Sequence, residues 1–563
     1  MYILGISCFY HDAAAALLKD GLIVAAAAEE RFTRQKHCLE FPHRAIKFCL
    51  DYAGITSEQL DYVGFYEKPL LKFERIILSH LNTFPYSFRS FLYAIPLWLR
   101  QKLWIKSIIQ KELNFPGEVL FVEHHLAHAA SSFLVSPFKE AAILTVDGTG
   151  EWATTACGYG SETEIKLIKE IHFPHSLGLL YSAVTAYLGF EVNNGEGKVM
   201  GLAAYGKPTY YDKFRKFTEI KEDGSFHLDL SYFAYHYRLV MFNRKFKELF
   251  GEPRLPETEI TQRDVDLAAT LQKILEESLI KISKNLYQVT GMRRLCLAGG
   301  VGLNSVANGR ILVETPFEEI FIQPGAGDDG TSIGVAVYIY STLLKNGRNY
   351  IMKDAYLGPS YSSDEVREFL QVKEEAFFQD YSTAELIEKV AELLSRGKIV
   401  GWFQGRMEFG PRSLGARSIL ADPRNSKMKD ILNEKVKHRE SFRPYAPSVI
   451  LEEAKEYFEL EYPSPFMLLV ASVREDKKGI IPAVTHVDGT ARIQTVSREE
   501  NTLFYELIQK FKAITGVPMI LNTSFNVRGE PIVCSPEDAY QCFLKTDMDC
   551  LVMGNFLIEK QKK

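Results

Sequence analysis

Apolar runs of strand length, each closed by a polar or glycine-bearing turn, organise the first half of the chain. Tyr2–Ser7 reads as a buried strand, Cys8-Phe9-Tyr10-His11-Asp12 as a polar turn and residues 13–18 as a second strand. Asp20-Gly21 is a hairpin signal ahead of a third strand, Leu22–Ala28. The pattern recurs at residues 141–146, which run into Asp147-Gly148-Thr149-Gly150, and at 295–298, which run into Gly299-Gly300 before a helix entered through Asn304. At such strand ends the backbone can come close to a phosphate or nucleotide. Residues 194–208 are dense in glycine around Lys198 and read as a loop folding over an anion, against the plainer reading of a packing corner with an exposed lysine. Leu267, Leu271, Ile274, Leu279, Ile282 and Leu286 form the core-facing stripe of a helix.

Residues 69–113 break this rhythm. Phe84, Tyr86, Phe88, Phe91, Tyr93, Trp98 and Trp104 crowd there, interrupted by Lys72, Arg75, His80, Arg89 and Arg100. That mixture predicts an inserted helical segment, acting as a lid or touching a membrane or lipid-linked acceptor. A polar run at 345–349 begins the linker, giving domains at 1–345 and 356–563 joined by 346–355. In the second domain a helix at Thr383–Ser395 leads into a strand at 398–403.

Length and composition narrow the class. A chain of 563 residues exceeds one core. Hydrophobic and charged fractions of 46% and 24% are those of a globular protein, and a net charge of -5 disfavours a nucleic-acid surface. The 8 cysteines are scattered without a C-x-x-C pair, as expected of reduced thiols. The start lacks a basic n-region and no apolar stretch reaches spanning length, so a cytoplasmic protein with no integral membrane segment is expected.

Two sets of residues carry candidate chemistry. His124 and His128 lie four apart, on one face of a helix, which makes half of a first-row metal site. Because His125 follows His124, the pair is not an H-E-x-x-H hydrolase motif. Asp328, in Gln323-Pro324-Gly325-Ala326-Gly327-Asp328-Asp329-Gly330, can complete a two-histidine, one-carboxylate set. The alternative is that Asp328 and Asp329 cap a helix starting near Thr331. In the second half, Arg412 stands in Glu408-Phe409-Gly410-Pro411-Arg412-Ser413-Leu414-Gly415-Ala416-Arg417-Ser418-Ile419. Lys435, Lys437, Arg439, Arg443 and Arg492 follow, and then Asn522-Thr523-Ser524-Phe525-Asn526. Guanidinium groups beside small polar residues suit a multiply charged phosphate substrate.

Strand, polar turn and hairpin at the start resemble the opening of an actin/sugar-kinase-like (ASKHA) ATPase domain. The blocks above, with Glu29-Glu30-Arg31-Phe32 and Lys36-His37, together resemble the O-carbamoyltransferases of antibiotic tailoring and nodulation-factor synthesis, the NodU/TobZ type. The first half is also similar to tRNA threonylcarbamoyl-transferase domains, the second to YrdC-type carbamoyl-adenylate synthases. The expected fold is therefore α/β, an ASKHA domain followed by a YrdC-like domain. The resemblance implies that the second domain makes carbamoyl-adenylate from carbamoyl phosphate and ATP with Mg2+, through Arg412, Lys437, Arg443, Arg492, Asn522, Ser524 and Asn526. The first domain would then pass the carbamoyl group to a hydroxyl of a sugar, antibiotic or polysaccharide precursor. There His124, His128 and Asp328 would hold Fe2+ or another divalent transition metal. Asp147, Gly148, Lys198, Gly299, Gly300, Asn304 and Asp329 would bind the nucleotide. His11 would be the base, with Asp12 and Lys36 as catalytic partners. No nucleic-acid partner is expected, and a homodimer is allowed. The competing readings are a threonylcarbamoyl-type tRNA-modifying enzyme, a sugar kinase of the same superfold and an ATP-gated scaffold.

Overall fold

Short, almost wholly buried strands rich in alanine and aliphatic residues build the first sheet: β1 (Tyr2–Ser7), β2 (Ala14–Lys19), β3 (Leu22–Ala28), β4 (Tyr62–Phe65) and β5 (Glu118–Phe121). The computed structural model describes residues 1–373 and 377–560. It divides into two units, Met1–Glu29 with His37–Met352 and Glu30–Lys36 with Lys353–Lys563.

In the first unit, β1 pairs antiparallel with β2 and parallel with β4, giving the order β3-β2-β1-β4-β5. A second sheet repeats this plan with β6 (Glu140–Val146), β7 (Ala153–Ser161), β8 (Glu164–His172), β9 (Arg294–Ala298) and β10 (Glu319–Ile322), in the order β8-β7-β6-β9-β10. A meander followed by two parallel strands, made twice, is the duplicated plan of the actin/sugar-kinase superfold. The parallel pairs require crossovers, and helices provide them.

Crossover helices include α1 (Pro69–Asn82), α2 (Phe88–Arg100) and α3 (Ile105–Leu113) between β4 and β5; α4 (His124–Phe133) leads from the first sheet to the second; α5 (Glu196–Ala203) and α6 (Gln262–Thr290) precede β9, α7 (Ser305–Glu314) joins β9 to β10, and α8 (Asp328–Tyr338) follows β10. The insert at 69–113 is thus helical. Two expectations are corrected. Residues 196–203 form a helix, not a glycine loop, and Lys198 lies in its first turn. Asp328 and Asp329 do not cap a helix starting near Thr331: the helix already begins at Asp328, behind Gly327.

Glycine decides how deeply α8 is set. A Cβ at Gly5 of β1 would stand 1.9 Å from the Ser332 carbonyl oxygen, and one at Gly334 would stand 2.0 Å from that of Ala127 in α4. Without side chains at these two points, α8 presses against both β1 and α4. Its N-terminus, with Asp328, thereby reaches the first turns of α4.

The second unit is one mixed sheet. Its strands are β11 (Phe378–Asp380), β12 (Val400–Phe403), β13 (Arg417–Ala421), β14 (Ala446–Ile450), β15 (Leu469–Ser472), β16 (Thr490–Val496), β17 (Met519–Ser524), β18 (Cys550–Met553) and β19 (Phe556–Glu559). They are ordered β11-β19-β18-β12-β13-β17-β14-β16-β15. Helix α9 (Thr383–Ser395) starts at a capping box in which Ser382 and Glu385 bond each other's backbone N–H. The early segment Glu30–Lys36 also belongs to this unit. Arg31 donates to the Gly410 carbonyl at 2.9 Å, Arg34 to the carbonyls of Ile532 and Pro531 at 2.6 and 2.8 Å, and Phe32 packs on Met407, Ile532 and Cys534.

Two glycine substitutions test this packing. Gly334→Val forces a side chain into the Ala127 carbonyl and should lower the melting temperature, at a cost of about 1–3 kcal/mol or more. Gly197→Ala, in open space on α5, should stabilise by about 0.5–1 kcal/mol. A Gly334→Val protein that melts with the wild type would contradict the close approach of α8 and α4.

Candidate active site

Four side chains from three places in the chain converge at the first turn of α8. Ligand atoms of His124, His128, Asp147 and Asp328 lie within 4.8 Å of one another, and all four residues are buried. The Nε2 atoms of the two histidines are 3.2 Å apart. Asp328 Oδ1 stands 3.7 Å from His124 Nε2 and 3.6 Å from His128 Nε2, and Asp147 Oδ2 stands 3.3 Å from His124 Nε2. Glu151 holds the start of α4 by accepting the His124 backbone N–H at 3.1 Å, an anion placed where the helix dipole favours one.

Neither oxygen of Asp328 has a hydrogen-bond partner, although the side chain is 0% exposed. A buried carboxylate without donors is expensive, and a cation between it and two imidazoles removes the expense. The residues therefore fit a divalent transition ion held by two nitrogens and two carboxylates. Burial opposes charge on His124, but Asp328 and Asp147 outweigh it and hold its pKa above the usual histidine value. His125 is outside this set. Burial, then the neighbouring His124 and His128, push its pKa down to about 3. Its ring is fixed between Thr145 Oγ1 at 2.7 Å and the Ala153 carbonyl at 2.9 Å.

The turn after β1 reaches the same point. His11 Nε2 is 3.7 Å from Asp328 Oδ2, while His11 Nδ1 bonds Asp12 Oδ2 at 2.8 Å. The other oxygen of Asp12 is bonded by His37 Nδ1 at 2.7 Å. Burial alone would raise the Asp12 pKa, but the two histidine hydrogen bonds hold it well below the carboxylate range. Burial opposes charge on His11, but Asp328 and Asp12 outweigh it and hold its pKa well above the usual histidine value; in its neutral form the proton stays on Nδ1 against Asp12 and Nε2 faces the four-residue cluster.

Other expected nucleotide residues do structural work. Asp147 Oδ1 accepts the Gly300 N–H at 2.8 Å, locking the turn after β6 to the turn after β9. Gly148 offers its carbonyl to Ser176 at 2.8 Å. Gly299 has φ +93 and its Cβ would fall 2.2 Å from the Val146 carbonyl oxygen, so glycine is demanded there by the chain itself. Asn304 caps α7, accepting from Ala307 N at 3.0 Å, and exchanges hydrogen bonds with Gln272. Asp329 Oδ1 accepts from Gly330 N at 3.0 Å. Lys198 lies over the Phe190 ring at 5.5 Å.

In the second unit, half-buried Arg412, Arg439, Arg443 and Arg492 lie close enough to repel one another, with Glu440 4.0 Å from Arg443. Burial, and then repulsion from Arg412, Arg439 and Arg443, push the Arg492 pKa down, and burial takes Arg412 to about 10. The Nε atoms of Arg412 and Arg492 have no hydrogen-bond partner. Among the described residues neither arginine has an ion pair. Glu408 shapes the loop beneath, its Oε1 accepting from the backbone N–H groups of Leu414 and Ala416 at 2.7 Å and of Arg417 at 3.2 Å. Lys437 is buried and bonded to protein: it donates to the Ser524 carbonyl, to Ser524 Oγ at 3.2 Å and to Asn526 Oδ1 at 2.8 Å. It sets the shape of the 524–526 turn, and Lys36, in the same unit, adds to the charges that depress it. Asn522 is tied to Ser448 and Gln494 at 2.9 and 3.0 Å, with Oδ1 unpartnered.

Residues 2–337 match the family described as carbamoyltransferase N-terminus, and residues 391–560 match carbamoyltransferase C-terminus. The chain belongs to the carbamoyltransferase family. This carbamoyltransferase is 50% identical to an uncharacterized protein of Synechocystis sp. over 99% of this chain and 97% of that one. It is 40% identical to nodulation protein NolNO of Sinorhizobium fredii, over 98% of this chain and 79% of that one. Nodulation protein U of Bradyrhizobium diazoefficiens is 34% identical over 50% of this chain and 48% of its own.

Sequence reasoning placed Asp147 with the nucleotide residues, and the structure also sets it beside the histidines, where it opens the turn after β6. Two further residues of the carbamoyltransferase stood outside the site sets. His37 shares Asp12 with His11, though it stood only in a motif. Arg439 stood in the basic run and faces the same cluster as its neighbours.

The arginine cluster predicts an unusual response to anions. Inorganic phosphate at about a hundred times its Kd should stabilise the protein by about 2.7 kcal/mol. Arg492→Gln, which removes one of the mutually repelling charges, should raise the melting temperature without phosphate and shrink the phosphate-induced rise. Equal phosphate responses in both proteins would contradict an anion site at Arg492.

Proposed function

We propose that this carbamoyltransferase acts in two steps. In the second unit water first cleaves carbamoyl phosphate to carbamate and phosphate, and the carbamate oxygen then attacks the α-phosphate of ATP, accompanied by Mg2+, giving carbamoyl-adenylate and releasing pyrophosphate. In the first unit a hydroxyl of a small-molecule acceptor, a sugar, antibiotic or polysaccharide precursor, attacks the carbamoyl carbon and AMP leaves. The observation that carries the reading is the set of half-buried arginines, two of which leave a buried Nε unpartnered. Such a set needs a ligand with several phosphate oxygens, which bidentate guanidinium groups match.

Arg412, Arg439, Arg443 and Arg492 bind and orient the phosphate groups, and Lys437 holds the 524–526 turn beside them. In the first unit, His11 takes the acceptor's hydroxyl proton at Nε2, and Asp12 fixes its tautomer and steadies the imidazolium that results. His124, His128, Asp147 and Asp328 would hold a divalent transition ion, iron(II) by family resemblance, and such an ion would supply Lewis-acid polarisation of the adenylate's phosphate side. Asp147 also keeps the turns after β6 and β9 together through Gly300, so the proposed nucleotide contacts near Gly299 and Gly300 share an anchor with the ion.

The purified protein is incubated with ATP and carbamoyl phosphate and without acceptor, and products are read by mass spectrometry. Carbamoyl-adenylate and pyrophosphate are expected from the wild type and not from Arg443→Ala. His11→Gln should still make adenylate while losing about 10²–10⁴-fold in transfer to an acceptor. Absence of adenylate from wild type with ATP, Mg2+ and metal supplied would overturn the two-step reading.

A further inference from the structure

The insert is built with its polarity reversed. Helices α1 and α2 form a hairpin, joined through Phe73 against Trp98 at 5.7 Å and His80 against Phe91 at 5.7 Å. Its inner side is charged: buried Lys72 pairs with Glu67, buried Arg75 lies 4.6 Å from the Phe173 ring, and Lys102 donates to the Phe9 carbonyl at 2.6 Å. The hairpin thus packs over the turn that bears His11. Its outer side is apolar. Phe84, Tyr86 and Tyr93 are 68%, 70% and 68% exposed, with Leu81, Phe88 and Leu92 exposed beside them. The patch continues onto the neighbouring loop. Tyr86 meets Tyr237 ring to ring at 6.4 Å, Ser90 Oγ bonds the Tyr237 carbonyl at 2.8 Å, and Leu239 and Val240 are exposed just beyond. A contiguous apolar surface of this kind is rare on a protein that is partnered only by water.

Its charge identifies the partner. From Arg75 to Lys111 the sequence carries Arg75, Arg89, Arg100, Lys102, Lys106 and Lys111 and no carboxylate, within a chain whose net charge is -5. Arg89, Arg100 and Lys106 are exposed among the aromatic and leucine side chains, and Arg238 adjoins them on the loop. Exposed aromatics mixed with cations match the boundary between acyl chains and anionic headgroups. A second copy in a two-fold arrangement would instead set these cations against themselves. Among the described residues no helix is long and apolar enough to cross a membrane, so the hairpin would lie on the bilayer. We propose that the outer face of the α1–α2 hairpin and the 237–240 loop dock this carbamoyltransferase on an anionic membrane surface.

Flotation of the full chain with vesicles tests this, comparing phosphatidylcholine alone with an equimolar mixture of phosphatidylcholine and phosphatidylserine. The wild type should float with the mixed vesicles at low salt and be released at high salt. Arg89→Gln with Arg100→Gln should weaken partitioning about thirtyfold. Phe84→Ser with Tyr93→Ser should abolish it. All of these side chains are exposed, so the melting temperature should stay at the wild-type value. Two results would overturn the proposal: no flotation of the wild type with mixed vesicles, or a concentration-dependent dimer that the same substitutions dissolve, which would give the patch to a second copy.

Discussion

Burying a carboxylate beyond the reach of water and of any donor is among the costliest arrangements a fold can hold, and the first unit is assembled around one. Asp328 reaches its place because glycines at 5 and 334 let α8 sink against β1 and α4. The same approach sets His124 and His128 opposite it, and the turn after β6 adds Asp147. His11 completes the surroundings from the turn after β1. Each contributor sits in a turn just after a strand or in the first two turns of a helix. A duplicated sheet whose parallel strands end side by side brings such positions together without bending any element.

The second unit poses the opposite electrostatic problem. There the surplus is positive: burial, and then Arg412, Arg439 and Arg443, lower the Arg492 pKa, and burial with Arg439 and Arg412 lowers that of Arg443. Both centres are held at a cost in stability that a ligand of opposite charge repays, a cation in one case and an anion in the other. Glu408 and Lys437 belong to the scaffold of the second centre. One fixes three backbone N–H groups and the other gathers the oxygens of Ser524 and Asn526.

What could be read from the sequence follows from how local each signal is. Strands ended by turn residues declare themselves, so β3 and helix α9 begin and end where hydrophobic runs and the Ser382–Glu385 box put them. The histidine pair is legible for the same reason, since spacing on a helix is a local fact. Glycine density misled at residues 196–203, because glycine serves a loop and a closely packed helix alike. Asn304 and Gly299, expected as nucleotide contacts, also serve a helix cap and a close backbone approach, which their spacing does not announce. Contacts distant in sequence left no mark: nothing in Glu30–Lys36 announces that Arg31 and Phe32 belong with residues 407–410 and 532–534. Nor does the aromatic insert announce that its lysine and arginine face inward.

The most direct test of the account is the metal content of the purified chain, measured by inductively coupled plasma mass spectrometry beside that of Asp328→Asn. The account predicts one transition-metal ion per chain in the wild type, lost from a variant that still folds. Equal metal content in the two proteins, or none in a wild type purified without chelator and supplied with iron(II), would contradict it.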